Sequence, residues 1–528
     1  MKGKLQKVCE KDRDLLFEWV NDEQCRKNSF HSEPVSYEEH CRWFSKKLAD
    51  QMCHMYIYCY EGIPVGQVRI DCEAENGCIS YFISCEYRGQ GHARNMLQLV
   101  EYEMQGKVRG LTACVKYGNI ASQMVFKKKN YTEIKDKDYI KYYKRISRKA
   151  EKLMYIPYGR QSIDEEDIQA IIDVLHSDYL TTGPKVAEFE RKVADYVGAK
   201  YAVAVSNGTA ALHIACLAAG ISKGDEVITT PVTFAASSNC VLYCGGIPVF
   251  ADIDADTYNI RPQEIEQKIT GKTKAIIPVH YTGQPCDMEA ITAIARKHNL
   301  LVIEDAAHAL GASYKGKRIG SISDMTCFSF HPVKPITTGE GGMVVTDNEG
   351  LYKKLILFRS HGITRDGELM TENQGDWYYQ QLELGYNYRI TDISCALGCS
   401  QMDKLDSFLE KRKEIAYRYD KAFKDVEGIK IPQQMENCSS GWHLYMIQVL
   451  NKKRKEVFEY LRAAGIGVNV HYIPVYQHPY YRNHGYSGCC LPNAESFYER
   501  AISLPVYPAL TAEQQQYIIN KVIEVVVE

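Results

Sequence analysis

The sequence predicts an α/β protein of two unlike modules, the second of which is built on a largely parallel β-sheet between helices. With 528 residues, the chain exceeds the size at which one hydrophobic core stops growing, so two to four domains are expected. Beyond about residue 156, short apolar runs alternate with helical patterns, which is typical of parallel strands joined by helical crossovers. The basic stretch ISRKAEK at residues 146–152 separates this region from an N-terminal region with a different pattern.

Seven apolar runs predict the strands of that sheet, with helical patterns between them. The runs are Ala202–Val205, Glu226–Thr230, Pro248–Asp252, Ala275–His280, Leu300–Glu304, Met325–Phe330 and Gly342–Thr346. Farther on, helical patterns at Asp406–Lys424 and Lys453–Ala463 enclose a strand at Trp442–Leu450, which predicts a smaller C-terminal subdomain.

The predicted organisation therefore has three parts. The first module spans residues 1–147, a linker spans 148–155, and the second module spans 156–528. Within the second module, the large domain ends near residue 404 and the small subdomain spans 405–528.

The composition is that of an ordinary globular protein. Hydrophobic residues make up 45%, charged residues make up 25% and the formal net charge is -2, so no nucleic-acid partner is expected. The 19 cysteines include no C-x-x-C pair and no metal-ligand spacing with histidine, which predicts reduced thiols and no metal site. The N-terminus lacks an apolar signal region and no apolar run approaches about 18 residues. We therefore expect a cytoplasmic protein that binds no membrane.

A turn of small residues follows the first predicted strand of the sheet. In SNGTAALH, residues 206–213, Gly208 and Thr209 open a helix directly after the strand. The free N–H groups of a helix N-terminus, with a glycine that permits close approach, suit a phosphate. A simple helix N-cap is the alternative interpretation of this turn.

An acid and a lysine lie in two later segments. Asp305 ends the apolar run of VIEDAAH, at the edge where α/β sheets bind ligands, although a helix cap would also explain it. Lys334 lies in a loop between two predicted strands, flanked by Pro332 and Pro335, so it does not belong to a solvated helix face. In apolar or cationic surroundings, such an amine loses its proton and becomes a nucleophile. The two segments therefore predict a catalytic acid and a catalytic lysine.

In this order, the three segments resemble those of the fold-type I pyridoxal-phosphate (PLP) enzymes, and specifically the DegT/DnrJ-type sugar aminotransferases. The similarity runs from about residue 156 to the C-terminus and includes TGP at 182–184, PVTF at 231–234, GYNYR at 385–389 and HYIP at 471–474. HPVKP at 331–335 and TFAA at 233–236 are most similar to aminotransferases that aminate C4 of UDP-4-keto-6-deoxy-N-acetylhexosamines on the way to pseudaminic acid.

The resemblance implies a role for each matching residue. Lys334 would hold PLP and carry the proton, and Asp305 would keep the pyridine nitrogen protonated so that the ring accepts electrons. Asn387 would reach the PLP phosphate of a neighbouring subunit, because this family shares its active sites across a homodimer. The other implied PLP contacts are Gly208, Thr209, Phe234, His308 and Ser329, and the implied substrate contacts are Thr182, Arg389, His471 and Tyr472. For Phe234, His308 and Asn387, purely structural roles are the alternative.

The N-terminal module contains a strand, a glycine-bearing loop and a helix in YFISCEYRGQGHARNML, residues 81–97. Backbone N–H groups of such a loop can hold a pyrophosphate. The R-x-x-G-x-A spacing and the later segment at 119–122 resemble the GCN5-related N-acetyltransferases (GNAT). This resemblance implies acetyl-CoA contacts at Arg88, Gly89, Gln90, Gly91, His92, Ala93, Asn119 and Ser122.

The acetyltransferase resemblance fails at one position. Many members place a tyrosine acid where Phe126 stands, and phenylalanine has no proton to give. Tyr131, a water molecule or no acid at all are the open alternatives, since a thiolate is a tolerable leaving group. Upstream, Trp19, Trp43 and Phe44 either belong to an acceptor site, as a resemblance to acetyltransferases of 4-amino UDP-sugars implies, or form a helix core.

Together the modules predict a bifunctional enzyme. The second would transfer an amino group, from L-glutamate by family resemblance, to C4 of a UDP-4-keto sugar, and the first would acetylate the new amine with acetyl-CoA. The motifs do not encode stereochemistry, so a D-gluco sugar of the legionaminic or bacillosamine type, or a dTDP-sugar, is an alternative substrate. A PLP-binding amino-sugar regulator without turnover would be indicated by the loss of Lys334 or Asp305, and both are present. An N-terminal domain that acetylates a protein, or that has no catalytic role, is a further alternative.

Overall fold

The computed structural model describes residues 3–73, 75–146 and 155–527. These residues form two compact units, one on each side of residues 147–154. The predicted linker lies outside the described residues except for its last position, Tyr155. In the described ranges, no helix is both long enough and apolar enough to cross a membrane.

The first unit is an α/β domain. Its strands are β1 (Gly3–Lys7), β2 (Cys53–Tyr60), β3 (Ile63–Glu73), β4 (Asn76–Ile83), β5 (Gly110–Lys116), β6 (Thr132–Lys135) and β7 (Tyr139–Arg145). Its helices are α1 (Arg13–Val20), α2 (Glu23–Asn28), α3 (Tyr37–Ala49), α4 (His92–Glu103) and α5 (Ile120–Lys128). The strands form one sheet in the order β1-β2-β3-β4-β5-β7-β6.

The centre of this sheet opens between β4 and β5. These two strands pair in parallel only over Asn76–Cys78 and Gly110–Thr112, whereas the other neighbours pair antiparallel. Within the described residues, the backbone of β4 beyond Cys78 is therefore unpaired on the side of β5. The buried face of α4, which includes Met96 and Val100, packs in the same core and fixes the loop that follows β4.

The second unit contains the remaining elements. Its strands are β8 (Tyr201–Val205), β9 (Glu226–Thr229), β10 (Ile247–Phe250), β11 (Thr273–Ile277), β12 (Leu301–Asp305), β13 (Ser313–Tyr314), β14 (Lys317–Arg318), β15 (Met325–Ser329), β16 (Gly342–Thr346), β17 (Ile363–Thr364), β18 (Gln380–Gln381), β19 (Ile429–Lys430), β20 (Cys438–Ser439), β21 (Tyr445–Val449) and β22 (Ala501–Leu504). Its helices are α6 (Glu165–Leu175), α7 (Pro184–Val197), α8 (Gly208–Ala218), α9 (Ala236–Tyr243), α10 (Pro262–Lys268), α11 (Met288–His298), α12 (Glu349–Arg359), α13 (Asp392–Met402), α14 (Leu405–Phe423), α15 (Arg454–Ala463), α16 (Pro479–Tyr481), α17 (Pro492–Arg500) and α18 (Ala512–Val527).

The large sheet has the strand order β10-β9-β11-β12-β15-β16-β8 and contains all seven predicted strands, with ends that differ by a few residues. Neighbours pair in parallel from β10 to β15, whereas β16 is antiparallel to both β15 and β8. The reason is the connection: residues 330–341 join β15 to β16 without a crossover helix, so the chain returns in the opposite direction. The prediction of a largely parallel sheet is confirmed, with one antiparallel strand.

A separate apolar core joins α14, α15 and α18 to β21 and β22. Its members include Tyr419, Ile447 and Val522, which are fully or almost fully buried. Ile156 also packs in this core and forms a backbone bridge with Ile466. The second unit therefore begins in the C-terminal core before the chain enters the large sheet.

Candidate active site

Asp305 lies at the carboxyl edge of the large sheet, as the last residue of β12, with its side chain buried. One carboxylate oxygen accepts a hydrogen bond from Ser237 Oγ at 2.6 Å, and the other accepts from the Ala307 N–H at 3.1 Å. Ser237 Oγ also shares a 2.7 Å hydrogen bond with Thr233 Oγ1. The carboxylate is therefore held in one orientation at the edge where a ligand would bind.

Lys334 lies in the loop between β15 and β16. Two backbone hydrogen bonds close this loop, from the Phe330 N–H to the Gly341 carbonyl at 2.9 Å and from the Thr338 N–H to the Phe330 carbonyl at 3.0 Å. Among the described residues, Lys334 Nζ has no hydrogen-bond acceptor and no ion-pair partner. Burial lowers the pKa of the ammonium to about 8, although the charge of Asp305 opposes this shift. The amine is therefore free and readily deprotonated.

The N-terminus of α8 and the end of β15 meet beside this site. Asn207 caps α8 by accepting the Ala210 N–H at 2.8 Å, which leaves the N–H groups of Gly208 and Thr209 without an acceptor among the described residues. A Cβ on Gly208 would lie 2.9 Å from Ser329 Cβ, so glycine is needed for this close approach. The structure thus brings three of the implied PLP contacts, Gly208, Thr209 and Ser329, into one corner, which offers N–H groups and hydroxyls to an anion such as the PLP phosphate.

Two of the predicted histidines lie in the buried wall of the same region. His308 Nε2 is 3.3 Å from Tyr472 Oη, and the two rings stack with centroids 6.2 Å apart. Burial, together with the charge of Lys334, lowers the pKa of His308 well below its usual range. The same causes lower the pKa of His471 to about 4, and its Nδ1 shares a 2.5 Å hydrogen bond with Ser503. Both imidazoles are therefore neutral near pH 7.

Four other predicted contacts lie at accessible positions. Phe234 is 63% exposed, with its ring centroid 6.4 Å from that of Tyr472. Thr182 and Asn387 are exposed and Arg389 is half-buried. Among the described residues of this one chain, none of these four side chains bonds to Lys334 or Asp305. The single chain thus brings the buried part of the predicted site together and leaves these contacts at its surface.

Three residues of the site were not predicted. They are Ser237, His443 and Arg412. The ring centroid of His443 is 4.4 Å from that of His308, and burial lowers the pKa of His443 well below its usual range. Arg412 lines a small cavity with Lys334 and donates to the carbonyls of Trp442, His443 and Val506. A sequence signal existed only for Arg412, because it occupies the buried face of α14 in helical register with Phe408 and Ile415.

The loop between β4 and α4 contains the predicted acetyl-CoA contacts. Gly89 and Gly91 adopt left-handed φ values of 79° and 86°, and a Cβ on either would meet nothing within 4 Å. Among the described residues, the N–H groups from residue 89 to Ala93 have no acceptor, and the buried His92 begins α4. An open loop of free N–H groups at a helix N-terminus can bind a pyrophosphate.

The other side chains of this loop hold its shape. Arg88 forms an ion pair with Asp22 at 2.6 Å and donates to the Ile83 carbonyl at 2.9 Å. The Gln90 side chain donates to the Glu86 carbonyl at 2.9 Å. Both side chains are therefore engaged within the domain, and the backbone remains the part that is available to a ligand.

The second predicted segment begins α5. Asn119 caps this helix by accepting the Ser122 N–H at 3.2 Å, and Ser122 Oγ shares a 2.9 Å hydrogen bond with Tyr81 Oη. Of the aromatic residues upstream, Trp19 and Phe44 are buried in a small core, which supports the helix-core interpretation for both. Trp43 is partly buried and stacks under the Arg69 guanidinium at 5.2 Å.

Among the described residues, no group of three or more histidine, cysteine or acidic side chains is placed to hold a metal ion.

In comparisons with known proteins, residues 161–523 match the model of the DegT/DnrJ/EryC1/StrS aminotransferase family, and residues 4–132 match that of the acetyltransferase (GNAT) domain. The family prediction made from the motif order is confirmed.

Individual relatives agree with these matches. A UDP-4-amino-4,6-dideoxy-N-acetyl-beta-L-altrosamine transaminase of Campylobacter jejuni is 41% identical over 369 residues, which cover 69% of this chain and 95% of the relative. Helicobacter pylori PseC, an aminotransferase involved in the biosynthesis of pseudoaminic acid, matches with a TM-score of 0.66 and 35% identity over 71% of this chain and 99% of its own. The PLP form of a putative sugar aminotransferase of Streptococcus pneumoniae matches with a TM-score of 0.66 and 34% identity over 71% of this chain and 100% of its own. This chain therefore belongs to the DegT/DnrJ/EryC1/StrS aminotransferase family and carries a GNAT acetyltransferase domain ahead of its aminotransferase region.

Proposed function

We propose that this chain is a bifunctional nucleotide-sugar enzyme. Its aminotransferase region aminates C4 of a UDP-4-keto-6-deoxy-N-acetylhexosamine with PLP and L-glutamate, and its GNAT domain acetylates the new amine with acetyl-CoA. The observation that carries the transamination is the free amine of Lys334 in one site with the fixed carboxylate of Asp305. The activity named for the Campylobacter jejuni relative, on a UDP-linked 4-amino-4,6-dideoxy sugar, supports the substrate class.

The residues of the site fit PLP. A free lysine amine suits its aldehyde, a buried carboxylate suits its pyridine nitrogen, and a helix N-terminus suits its phosphate. The corner between Gly208 and Ser329 supports the third match, because a Cβ on Gly208 would close it. Phe234 is the residue that we assign to one face of the ring, and His308 is assigned to a position beside it.

When bound, PLP supplies an electron sink for the carbon that loses its proton. Asp305 keeps a proton on the pyridine nitrogen, and Ser237 keeps the carboxylate in place. Nζ of Lys334 takes the proton from the amino-bearing carbon of glutamate and, in the second half-reaction, delivers a proton to C4 of the sugar. His308 and His471 stay neutral, so they orient groups by hydrogen bonds and do not add positive charge beside Lys334.

A homodimer completes the site in this proposal. Trp377, Tyr379 and Leu384 are 72%, 51% and 77% exposed, and they shortly precede Asn387 in the chain. Large apolar side chains on a surface indicate an interaction site. We assign this surface to the contact with a second copy of the chain. In the dimer, Asn387 of one copy would reach the PLP phosphate bound by the other copy, and Thr182 and Arg389 would lie toward the sugar.

The dimer is tested by mixing two inactive variants, Lys334→Ala and Asn387→Ala. Since one of the two hybrid sites would be intact, the mixture should recover part of the activity after subunit exchange. If exchange is demonstrated with tagged chains and no activity returns, the sites are contained within one chain.

The experiment for the whole proposal is incubation of the chain with PLP, glutamate and acetyl-CoA and with one 4-keto sugar at a time. The UDP-linked L-altro precursor should give a 4-acetamido product, identified by mass and proton spectra, and Lys334→Ala should leave the keto sugar unchanged. If only a D-gluco or a dTDP-linked sugar reacts, the proposed sugar is wrong, but the proposed transamination and acetylation reactions remain supported. If no keto sugar gains an amino group while a protein is acetylated, the proposed function fails.

A further inference from the structure

In acetyl transfer from CoA, an acid of the enzyme can give a proton to the departing sulfur, and the structure narrows which side chain is placed to do so. Phe126 is 1% exposed and has no acidic proton. Tyr131, the alternative left open by the sequence, is 5% exposed, and its Oη is buried with no hydrogen-bond partner in the part of the chain that the structure describes. Its ring packs against that of Phe126, with centroids 5.1 Å apart. Tyr131 is therefore a core residue and is closed off from a substrate.

Tyr81 presents a second phenol beside Phe126. It lies on β4, beyond the point where pairing with β5 ends, and its side chain is partly buried. Its ring stands edge-on to Phe126, with centroids 6.0 Å apart. The hydroxyl of Tyr81 thus lies next to the position from which other acetyltransferases present their acid.

Ser122 fixes that hydroxyl. Ser122 Oγ shares a 2.9 Å hydrogen bond with Tyr81 Oη, and the Ser122 N–H donates to the Asn119 cap of α5. Since a helix start places Ser122, the serine holds the phenol at a defined position. Ser122 is itself only partly buried and shares this bond with the phenol, so its hydroxyl is placed between Tyr81 and the surface.

The expected path of CoA leads to the same place. If the pyrophosphate binds the N–H groups after β4, the pantetheine arm can run back along the unpaired edge of β4 and pair its amides there, as an added strand would. Tyr81 lies on this stretch of β4, two residues before its end at Ile83. The thioester would then reach the opening between β4 and β5.

We propose that Tyr81 is the general acid of the acetyl transfer, and that Ser122 is its positioning residue. This inference rests on the proposed acetyltransferase function. The sugar amine attacks the thioester carbonyl and forms the C–N bond, the C–S bond breaks, and Tyr81 Oη gives its proton to the departing sulfur. The proton that the amine releases restores the phenol through Ser122 or solvent, so no other reactant is consumed. Burial raises the pKa of Tyr81, which keeps the phenol protonated at neutral pH.

The test uses the full chain with Tyr81→Phe, with Ser122→Ala and with Tyr131→Phe as the matched control. Tyr81→Phe should lower kcat for acetylation of a 4-amino sugar by about 100-fold, with KM for acetyl-CoA nearly unchanged. Ser122→Ala should lower kcat by about tenfold, because the phenol remains but is less well held. Tyr131→Phe should keep the wild-type rate.

A binding measurement tests the contact between the Tyr81 hydroxyl and the CoA sulfur without turnover. Calorimetry should show that the wild-type chain binds CoA more tightly than desulfo-CoA, because the phenol bonds to the sulfur, and that Tyr81→Phe loses this preference. An unchanged kcat and an unchanged preference in Tyr81→Phe would overturn the inference, as would a large loss of kcat in Tyr131→Phe. If the wild-type chain acetylates no amino sugar, the proposed function fails, and the CoA comparison still decides whether Tyr81 contacts the sulfur.

Discussion

At the scale of single residues, the surroundings of Lys334 explain why its amine loses a proton more readily than an ordinary lysine does. His308 and His443 are neutral because burial disfavours their charged forms. Arg412 is the nearby cation, and among the described residues it has no carboxylate partner. Burial, together with the charge of Arg412, outweighs the attraction of Asp305 and lowers the pKa of Lys334 to about 8, and the neutral histidines add no positive charge beside it.

The positions of Lys334 and Asp305 in the fold were predictable, because a lysine between prolines and an aspartate at a strand end are local patterns. The hydrogen-bond partner of the Asp305 side chain was not predictable. Ser237 lies 68 positions away in the chain, and nothing in TFAASS indicates that its hydroxyl faces Asp305. Contacts between distant segments depend on how α9 packs against the sheet, which a single sequence does not specify.

The pKa of Lys334 predicts how PLP capture depends on pH. Only the neutral amine attacks the PLP aldehyde, and the amine becomes neutral as the pH rises through its pKa. The rate at which apo-protein captures PLP should therefore rise with pH and level off above about 8, rather than near the ordinary lysine value of about 10.4. Visible absorbance in a stopped-flow experiment measures this rate. A midpoint near 10 would show that Lys334 is not desolvated, and Lys334→Ala should capture no PLP covalently.

The contact between Ser237 and Asp305 predicts a graded loss of turnover. Asp305→Ala should retain the covalent lysine bond to PLP and lose several orders of magnitude in kcat, because the electron sink is weakened. Ser237→Ala removes a hydrogen bond to a charged group, worth about 1.5 kcal/mol, so kcat should fall by about tenfold. Ser238→Ala is the matched control, since Ser238 is buried on the same helix but bonds to Tyr481. Equal losses in the two serine variants would refute the role of Ser237.

At the scale of elements, the connections decide the geometry of the site. The seven strands could be located from the sequence because each is a short apolar run, and helical crossovers implied their parallel direction. The reversal of β16 follows from the loop that carries Lys334, which forms no crossover helix to return the chain to the parallel direction. This reversal returns the chain beside β8 and places the lysine loop next to the helix that follows β8, where the phosphate corner lies.

The phosphate corner predicts the effect of Gly208→Ala. The new Cβ would lie 2.9 Å from Ser329 Cβ, so the N-terminus of α8 must move away from β15. Overpacking of this kind costs about 1–3 kcal/mol, and PLP affinity should fall by about tenfold or more. Gly271→Ala is the control, because its Cβ would meet nothing within 4 Å. Equilibrium dialysis of PLP measures the effect, and equal affinities for the two variants would remove Gly208 from the phosphate site.

At the scale of the whole molecule, the two modules were predictable because their motifs belong to different chemistries and a basic stretch separates them. Surface contacts were less predictable. Among the described residues of one chain, the side chains of Phe234 and Asn387 do not bond to Lys334, and their motifs alone did not indicate this separation. The neighbours of Phe126 were likewise not predictable, because Tyr81 on β4 and Phe126 on α5 come together only through packing.

The last prediction is that the two activities can be separated by single substitutions. Gly91→Glu places a negative side chain in the loop whose N–H groups would bind the CoA pyrophosphate, so the variant should consume the keto sugar and glutamate but stop at the 4-amino sugar. Gly62→Glu is the matched control: both glycines have left-handed φ values, 86° and 87°, and open surroundings, so the backbone strain is alike and only the position differs. Conversely, Lys334→Ala should fail on the keto sugar and acetylate supplied 4-amino sugar at the wild-type rate, since the two proposed sites share no residues. Mass spectra of the products distinguish the outcomes. Acetylation by Gly91→Glu at the rate of Gly62→Glu would exclude this loop as the CoA site and leave the aminotransferase site untouched.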